Sequence, residues 1–345
     1  MSGPRPALAY SLTPQASLEP YTTFRVPARA AWLAELTDAK ALPELLARPE
    51  VQGLPVLALG EGSNLLLTRD FDGLVVRLAN AGIETLKDGD VARVRVAAGE
   101  RWDAFVRWSL AKGFAGLENL IFIPGCVGAA PIQNIGAYGV ELREFVAGVE
   151  AWDHEQNRFV QLDNPACAFG YRDSLFKHAP RRYLISAVLF DLPRSHPLQL
   201  DYAGLREELT ARGVSNPKSL DVARAVEALR RRKLPDPALI GNAGSFFKNP
   251  VLPAERAQAL LRAFPKLPTY HSSEGNTKVS AAWLIESCGF KGVRDGDAGV
   301  SDQHSLVLVN YGRATGAEIW ALAGRIRDAV AARYGITLEP EPLIL

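Results

Sequence analysis

The stretch from Ile121 to Val140 contains no charged side chain and constrains the fold more than any other feature of the chain. Its length would suffice to cross a bilayer. Prolines, glycines and the amides Gln133 and Asn134 interrupt it, however, and a lipid-exposed helix so interrupted would leave backbone groups unpaired in hydrocarbon. We therefore predict a glycine-rich loop of a soluble protein rather than a membrane span.

Composition excludes several other classes of protein. The net charge of +1 argues against a nucleic-acid-binding surface. Cys126, Cys167 and Cys288 are scattered and form no Cys-x-x-Cys pair, so neither a disulfide framework nor a structural zinc site is expected. The first ten residues lack the continuous apolar core of a signal peptide. We expect a reducing, cytoplasmic setting, without nucleic-acid or membrane partners.

Helix and strand signals alternate irregularly, which predicts an α+β fold rather than regular βαβ repetition. The predicted strands are 55–59, 64–67, 74–78, 91–97, 146–152, 183–190 and 305–310. The predicted helices are 37–48, 101–112, 219–233, 253–264, 281–288 and one from Thr315. Thr315 and Glu318 form a capping box for that last helix, and Gly335 ends it. The basic helix 219–233 precedes a Leu-Pro-Asp-Pro break, which predicts a domain boundary near residue 234.

The first glycine-rich loop is Gly60-Glu61-Gly62-Ser63-Asn64, which follows an apolar strand. It begins like a dinucleotide fingerprint, but Leu65 stands where the third glycine belongs, and a strand rather than a helix follows. A tight turn whose N–H groups converge on an anion is one interpretation. A plain hairpin turn is the other, and this loop alone favours it.

The second loop, residues 123–139, changes that balance. Backbone N–H groups can hold a diphosphate where side chains are small, and Gln133 and Asn134 could add neutral donors. A buried crossover that only permits close packing is the alternative, but it does not explain the interleaved amides. No Gly-Lys pair occurs, so a P-loop is absent. The two loops together indicate a dinucleotide held by neither standard motif.

Several long motifs, in this order, resemble the bacterial UDP-N-acetylenolpyruvoylglucosamine reductases, also called UDP-N-acetylmuramate dehydrogenases, over nearly the whole chain. The motifs are LEPYTTFRV (18–26), GEGSN (60–64), the loop 124–142, YRDSLFK (171–177), RKLPDP (232–237), GNAGSFFKNP (241–250) and LEPE (338–341). The resemblance implies a two-part FAD-binding domain of the vanillyl-alcohol-oxidase type and a C-terminal α+β substrate-binding domain. The implied divisions are 1–80, with the tail 337–345 returning near the active site, 81–233 and 234–336.

The chemistry that the resemblance implies is reduction of UDP-N-acetylglucosamine enolpyruvate to UDP-N-acetylmuramate for peptidoglycan. NADPH reduces FAD, leaves, and is replaced by the substrate; a monomer is expected. The implied cofactor-binding residues belong to the two loops. They are Gly60, Glu61, Gly62, Ser63, Asn64, Pro124, Gly125, Cys126, Gly128, Ala129, Gln133, Asn134, Gly136, Ala137, Tyr138 and Gly139.

The resemblance also assigns catalytic roles. Ser245 matches the proton donor, Arg172 the arginine that meets the substrate carboxylate, and Glu341 a glutamate near the active site. The plainer alternatives are that Ser245 caps a helix or lies in a turn, that Arg172 pairs with Asp173 at the surface, and that Glu341 is a solvated carboxylate. The family pattern differs after Glu341, where Pro342 and Leu343 stand.

Substrate contacts are implied for a further set of residues. Lys233 and Asn249 match positions that contact the nucleotide sugar. Tyr202 resembles the tyrosine of a loop that covers the substrate in one subgroup of the family. His304 is a weaker match, since a histidine that opens a strand is more often structural.

Three rival functions remain open at this point. Residues 174–177 and 245–248 both spell Ser-x-x-Lys, the acylated-serine motif of penicillin-binding enzymes, although the partner motifs are absent. A flavin-dependent sugar or alcohol oxidase of the same fold would need a base rather than a serine acid. A non-catalytic nucleotide-sugar sensor would bind ligand without oxidising NADPH.

Overall fold

The computed structural model describes residues 9–271 and 275–345. The prediction made on the first residues of the chain therefore lies mainly outside the described residues. The described chain divides into two compact units. The first unit comprises residues 9–16, 30–61 and 72–230, and the second comprises 17–29, 62–71 and the described residues from 231 to 345. The predicted division at residues 80, 233 and 336 stays a prediction.

Helices and strands alternate along the chain, and the predicted α+β class is confirmed. The strands are β1 (Tyr10–Ser17), β2 (Arg29–Leu36), β3 (Val56–Leu59), β4 (Leu65–Leu66), β5 (Phe71–Leu78), β6 (Ile83–Lys87), β7 (Val91–Ala97), β8 (Gly136–Ala137), β9 (Val140–Glu141), β10 (Val146–Asp153), β11 (Arg158–Asp163), β12 (Tyr183–Pro193), β13 (Gly241–Ser245), β14 (Val251–Pro253), β15 (Thr269–His271), β16 (Asn276–Val279), β17 (Arg294–Asp295), β18 (Ala298–Val300), β19 (Val307–Asn310) and β20 (Leu343–Ile344). The helices are α1 (Leu42–Leu46), α2 (Trp102–Ala111), α3 (Leu175–His178), α4 (Leu205–Ala211), α5 (Ser219–Lys233), α6 (Ala254–Ala263), α7 (Ala281–Ser287) and α8 (Gly316–Tyr334).

The first unit is built on two sheets, with strand orders β1-β2-β5-β3 and β11-β10-β12-β7-β6. Strand β7 shows why the sequence pairs this way. Val94 and Val96 are fully buried on one face of the strand. On the other face Arg93 pairs with Asp191 of the neighbouring strand β12, and Arg95 pairs with Glu150 of β10, one strand further away. The period-two pattern that predicted a half-exposed strand is confirmed.

Helix α2 packs its aromatic face into the core of the first unit and leads into the glycine-rich loop. The rings of Trp102 and Phe105 lie 5.7 Å apart, edge to face. Trp102 Nε1 donates to the Leu120 carbonyl at 2.8 Å, which fixes the chain just before the uncharged stretch. Gly113, with φ of 78°, ends the helix as predicted.

In the second unit, the described strands form the sheets β13-β19-β18-β17 and β14-β16-β15 and the two-stranded parallel pair β20-β4. Helix α8 has the predicted ends: Thr315 and Glu318 form a capping box, and Gly335 adopts φ of 64°. A Cβ on Gly316 would lie 1.8 Å from the Leu67 carbonyl oxygen, so the start of this helix packs directly on the chain after β4.

Some predicted elements differ from the observed ones. The single helix predicted for 37–48 is wrong: a 3₁₀ turn (Ala39–Ala41) precedes the short helix α1, which has Pro43 in its first turn. Strands β1 and β2 lacked a clear alternating pattern and were not predicted. The plain hairpin at Gly60–Ser63 is also wrong, because β3 pairs with β5 and β4 with β20.

Among the described residues, no helix combines the length and the apolar character that crossing a membrane requires. Within the same residues, no group of histidine, cysteine, aspartate and glutamate side chains could hold a metal ion. The uncharged stretch 121–140 contains one 3₁₀ turn (Val127–Ala129) and the strand β8, and the strand β9 begins at its end.

Candidate active site

Gly60 allows the first glycine-rich loop to approach the second one. A Cβ at position 60 would lie 2.5 Å from the Cys126 sulfur, closer than a real side-chain atom can come. Burial raises the pKa of the Cys126 thiol, although the N–H groups of Ala129 and other loop residues act in the opposite direction. The cysteine therefore serves as a neutral spacer against Gly60.

The Glu61 side chain ties the two loops together. Its carboxylate accepts the Gly125 N–H at 2.9 Å, and Arg101 Nε lies 3.0 Å from its other oxygen. The sequence prediction treated Glu61 as one residue of a main-chain cradle and missed this side-chain link. A glutamate between two glycines gives no local signal of a partner sixty-odd residues away along the chain.

The interior of the second loop uses many of its own polar groups. The Gly128 N–H donates to the Ala98 carbonyl at 2.9 Å, and the Ala129 N–H donates to the Cys126 carbonyl at 3.1 Å. A Cβ on Gly128 would lie 2.5 Å from the Ala98 Cβ. The N–H groups of Gly125, Gly128 and Ala129 thus have acceptors within the protein, and their small size permits close packing. Their contact with a cofactor stays a prediction.

Asn134 also differs from its predicted role as a donor to a ligand. This fully buried residue donates to Glu141 Oε2 at 3.0 Å and to the Gly170 carbonyl at 2.8 Å. Its Oδ1 accepts the Arg143 N–H at 2.9 Å. The amide thus closes the loop on itself and on the segment that leads to Arg172.

Within the second unit, the turn at Gly62 offers a place for a polar ligand. Gly62 has φ of 59°, and a Cβ there would lie 2.2 Å from the Tyr21 carbonyl oxygen. The Thr23 N–H donates to the Gly62 carbonyl at 3.2 Å. The neighbouring Thr22 hydroxyl is buried and has no hydrogen-bond partner among the described residues. A buried hydroxyl in this state fits contact with a bound polar group, such as a cofactor.

Arg172 is held in a strained backbone conformation, with φ of 53°. Its Nη2 donates to the Gly136 carbonyl at 2.6 Å, which links it to the second loop. Lys177 Nζ donates to the Arg172 carbonyl at 3.1 Å. Strain of this kind clusters at functional sites, where surrounding bonds maintain it.

Ser174 stabilises the local structure around Arg172 and is not the reactive serine of a Ser-x-x-Lys enzyme. It is fully buried, it caps α3, and its hydroxyl donates to the Ile132 carbonyl at 2.6 Å. Asp173, the partner in the surface-pair alternative, hydrogen-bonds His178 Nε2 at 2.8 Å.

Two tyrosines and a second arginine lie near Arg172 in the first unit. The rings of Tyr138 and Tyr202 are 4.7 Å apart, and Tyr202 is partly exposed. Arg230 Nε donates to the Phe122 carbonyl at 3.0 Å. Burial lowers the pKa of Arg230 and the positive charge of Arg172 lowers it further, while the nearby Tyr138 and Tyr202 act in the opposite direction. Arg230 was not among the predicted site residues; its spacing of four from the buried Val226 was the available signal.

Ser245 is the last residue of strand β13 in the second unit. It pairs with Val307 after a register shift, and Gly244 precedes it with φ of 70°. Phe246 and Phe247 follow it and are almost fully buried, so they anchor the strand end. The helix-cap alternative for Ser245 is wrong, because the residue ends a strand.

Glu341 lies beside the chain that follows Ser245. Its N–H donates to the Phe246 carbonyl at 2.8 Å, and its carbonyl accepts Asn64 Nδ2 at 3.3 Å. The Leu343 N–H donates to the Asn64 carbonyl at 3.0 Å and continues this pairing into β20. The tail is therefore placed by main-chain bonds, despite the departure from the family pattern at Pro342 and Leu343.

Two other predicted residues of the second unit, Asn249 and His304, accept hydrogen bonds from main-chain N–H groups. Asn249 Oδ1 accepts the Ala281 N–H at 3.0 Å, at the start of α7. His304 Nδ1 accepts the Leu306 N–H at 3.2 Å. Burial lowers the pKa of His304, and the charges of Lys233 and Lys291 lower it further. His304 is thus a neutral side chain within electrostatic reach of Lys233.

Comparisons with known proteins agree with this geometry. A family described as "UDP-N-acetylenolpyruvoylglucosamine reductase, C-terminal domain" matches residues 236–345, and one described as "FAD binding domain" matches residues 30–162. The UDP-N-acetylenolpyruvoylglucosamine reductase of Chromobacterium violaceum is 55% identical over 95% of this chain and 97% of its own. The enzyme of Xanthomonas euvesicatoria is 53% identical over 97% of each chain.

A solved structure supports the same assignment. The crystal structure of the reductase from Thermus caldophilus is 25% identical, with a TM-score of 0.67 over 97% of this chain and 98% of that one. The predicted two-part FAD-binding domain followed by a C-terminal substrate-binding domain is confirmed. From these matches over almost the full length, we conclude that the chain belongs to the family of UDP-N-acetylenolpyruvoylglucosamine reductases.

Proposed function

We propose that Ser245, Arg172 and Glu341 carry the proton transfer and charge stabilisation in the reaction of this family. As a member of it, the chain is an FAD-dependent oxidoreductase that reduces UDP-N-acetylglucosamine enolpyruvate to UDP-N-acetylmuramate for peptidoglycan. NADPH is the reductant. The chemistry that FAD supplies when bound is hydride transfer from NADPH to the terminal carbon of the enolpyruvyl group.

The residues that would hold FAD are those of the two glycine-rich loops. Gly60 lets the first loop approach Cys126 of the second loop, and Gly128 lets the second loop pack on Ala98, so both loops are fixed in place by packing. The Thr22 hydroxyl, which lacks a hydrogen-bond partner within the described chain, would donate to the cofactor beside Gly62. The other predicted loop residues belong to the same two segments, and we propose that they also contact FAD.

Ser245 would protonate the carbon next to the substrate carboxylate, where negative charge develops after hydride addition. A serine is a weak acid, but an enolate carbon is a base strong enough to take its proton. One observation carries this assignment: the main chain of Glu341 hydrogen-bonds Phe246, the residue next to Ser245. The two predicted catalytic residues of the second unit therefore lie on adjacent, firmly paired segments, and Glu341 can assist the developing enol.

Arg172 would meet the substrate carboxylate, whose charge grows as the enolate forms. A guanidinium offers two parallel N–H donors that match a carboxylate, and the charged hydrogen bonds strengthen with that charge. The strained backbone at φ of 53° and the bond to Gly136 fix the side chain before substrate arrives. Such preorganisation is the main source of electrostatic stabilisation in enzymes.

The nucleotide sugar would be held by Lys233, Asn249, Tyr202 and His304. Lys233 offsets diphosphate charge, and the neutral His304 can donate through Nε2, since its Nδ1 accepts the Leu306 N–H. The partly exposed Tyr202 ring can cover the substrate. We place this activity in the cytoplasm and assign it to a monomer, because small-molecule ligands require no second chain.

The visible spectrum of the purified protein tests this proposal. We expect the yellow absorbance of bound FAD, bleaching by NADPH without oxygen, and recovery of colour on addition of the enolpyruvyl sugar. Recovery with oxygen after a sugar or alcohol had reduced the flavin would instead support the oxidase alternative, which the comparisons do not favour. A protein that stays colourless when supplied with FAD would overturn the proposal.

A further inference from the structure

Asn119 is a fully buried amide in the turn that precedes the second glycine-rich loop. Its Nδ2 donates to the Tyr138 carbonyl at 2.9 Å and to the Gln199 carbonyl at 2.9 Å. These two carbonyls belong to segments sixty residues apart along the chain. One side-chain amide thus joins the end of the glycine-rich loop to the segment that carries Tyr202.

The surroundings show that the two joined segments are closely fitted. The rings of Tyr138 and Tyr202 lie 4.7 Å apart. A Cβ on Gly139 would lie 2.8 Å from Gln199 Cγ, so no larger residue fits at position 139. The position of the Tyr202 ring therefore depends on the two hydrogen bonds that the Asn119 amide donates.

The turn that carries Asn119 is itself anchored. Glu118 is buried, and its Oε2 accepts the Gly116 N–H at 2.7 Å. Ser219, the first residue of α5, hydrogen-bonds the same carboxylate. Asn119 Oδ1 is buried and has no hydrogen-bond partner within the described residues. The contribution of this amide to the structure is therefore its pair of N–H donors, which lie in one plane and serve the two carbonyls.

We propose that Asn119 is a positioning residue, which holds the Tyr202 segment against the Tyr138 ring so that Tyr202 can close on the nucleotide sugar. The inference rests on the proposed function of Tyr202. The inference adds Asn119 to the residues that serve this function. Asn119 touches neither substrate nor cofactor and acts through its hydrogen bonds to two main-chain carbonyls.

The test is a double-mutant cycle of Asn119→Ala and Tyr202→Ala in the FAD-bound protein. We expect Asn119→Ala to raise the KM for the enolpyruvyl sugar roughly tenfold, with a much smaller change in kcat, since only binding is affected. In the Tyr202→Ala background the same substitution should change KM less than twofold, because the two residues act as a unit. Additive effects on KM would overturn the inference.

Asn164 provides the matched control. Its Nδ2 also donates to two carbonyls, of Arg143 at 2.9 Å and Val146 at 2.7 Å, but neither belongs to the segment that carries Tyr202. Asn164→Ala should leave KM unchanged, and an equal rise in KM would overturn the inference. If Asn119→Ala does not fold, Asn119→Ser retains one donor and should show a smaller KM rise that vanishes in the Tyr202→Ala background. A wild-type protein without turnover would overturn the proposed function and this inference with it.

Discussion

The first unit positions its candidate residues through side chains that hydrogen-bond distant segments, whereas the second unit does so by pairing main-chain segments. In the first unit, Glu61 accepts the Gly125 N–H, and Asn134 and Asn119 each bond two separate segments. In the second unit, Glu341 is placed by its own N–H and by the parallel pairing of β20 with β4.

This difference determines which substitutions each unit tolerates. A single substitution removes a side-chain link, and the main-chain N–H or carbonyl that it bonded is then buried without a hydrogen bond. A main-chain link survives most changes of side chain and is broken by proline, which has no N–H. The tail illustrates the second case, because Glu341 keeps its position although Pro342 and Leu343 depart from the family pattern.

The largest expected effect is that of substituting Ser245, which we expect to transfer a proton rather than to hold other groups in place. Ser245→Ala should lower the rate of flavin reoxidation by the enolpyruvyl sugar by roughly 10²–10⁴-fold, the usual cost of removing a general acid. Reduction of the flavin by NADPH should stay near the wild-type rate, and stopped-flow traces separate the two steps. Near-normal reoxidation by the variant would remove Ser245 from the mechanism.

The main-chain placement of the tail can be broken with Leu343→Pro. The variant loses the N–H that donates to the Asn64 carbonyl. Loss of this hydrogen bond loosens the pairing that places Glu341, and we expect kcat to fall about tenfold, which corresponds to roughly 1.4 kcal/mol of activation free energy. Ile344→Pro is the control, because the bonds of this pairing use the N–H groups of residues 343 and 345. Equal losses in both variants would contradict main-chain placement.

Much of this fold could be predicted from local patterns. The alternation of Val94 and Val96 with Arg93 and Arg95 gave β7 its correct bounds, and the capping box at Thr315 gave the start of α8. Such elements are predictable because their cause lies within a few residues of sequence. Strand β4 could not be assigned its partner, because β20 lies at the far end of the chain.

The candidate site divides in the same way. Ser245, Arg172 and Glu341 were found through long motifs, whereas the links that hold the site were missed. Nothing near Asn119 in sequence indicates Gln199 as its partner, and Glu61 gives no sign of Gly125. Hydrogen bonds between segments distant in sequence follow from tertiary packing, and a single sequence does not encode them as a local pattern.

A side-chain link of the first unit can be broken with Glu61→Ala. The Gly125 N–H then loses its acceptor, and the two loops lose their connection. We expect FAD to be retained roughly tenfold less tightly, from about 1–3 kcal/mol for the unpaired N–H. The measure is flavin fluorescence released on dilution. Arg101→Ala is the control: its side chain is 73% exposed, so its ion pair with Glu61 contributes little. Tighter FAD binding by Glu61→Ala would show that charge repulsion outweighs the link.

The smallest effect concerns the buried carboxylate of Glu118, next to Asn119. Burial raises the pKa of this group in the folded protein, although hydrogen bonds from main-chain N–H groups act against it. Between the unfolded value near 4.3 and the raised value, the folded state holds a proton that the unfolded state has released. The free energy of unfolding contributed by Glu118 therefore falls as the pH rises through this window.

Glu118→Gln removes that titration and keeps an acceptor for the Gly116 N–H. We expect the melting temperature of the variant, relative to wild type, to rise by a few degrees at most between pH 4.5 and pH 8. Glu100→Gln is the control, because that carboxylate also accepts a main-chain N–H, that of Gly82, but does so at the surface. A difference between Glu118→Gln and wild type that does not change with pH would mean that the Glu118 carboxyl has the same pKa in the folded and unfolded chains.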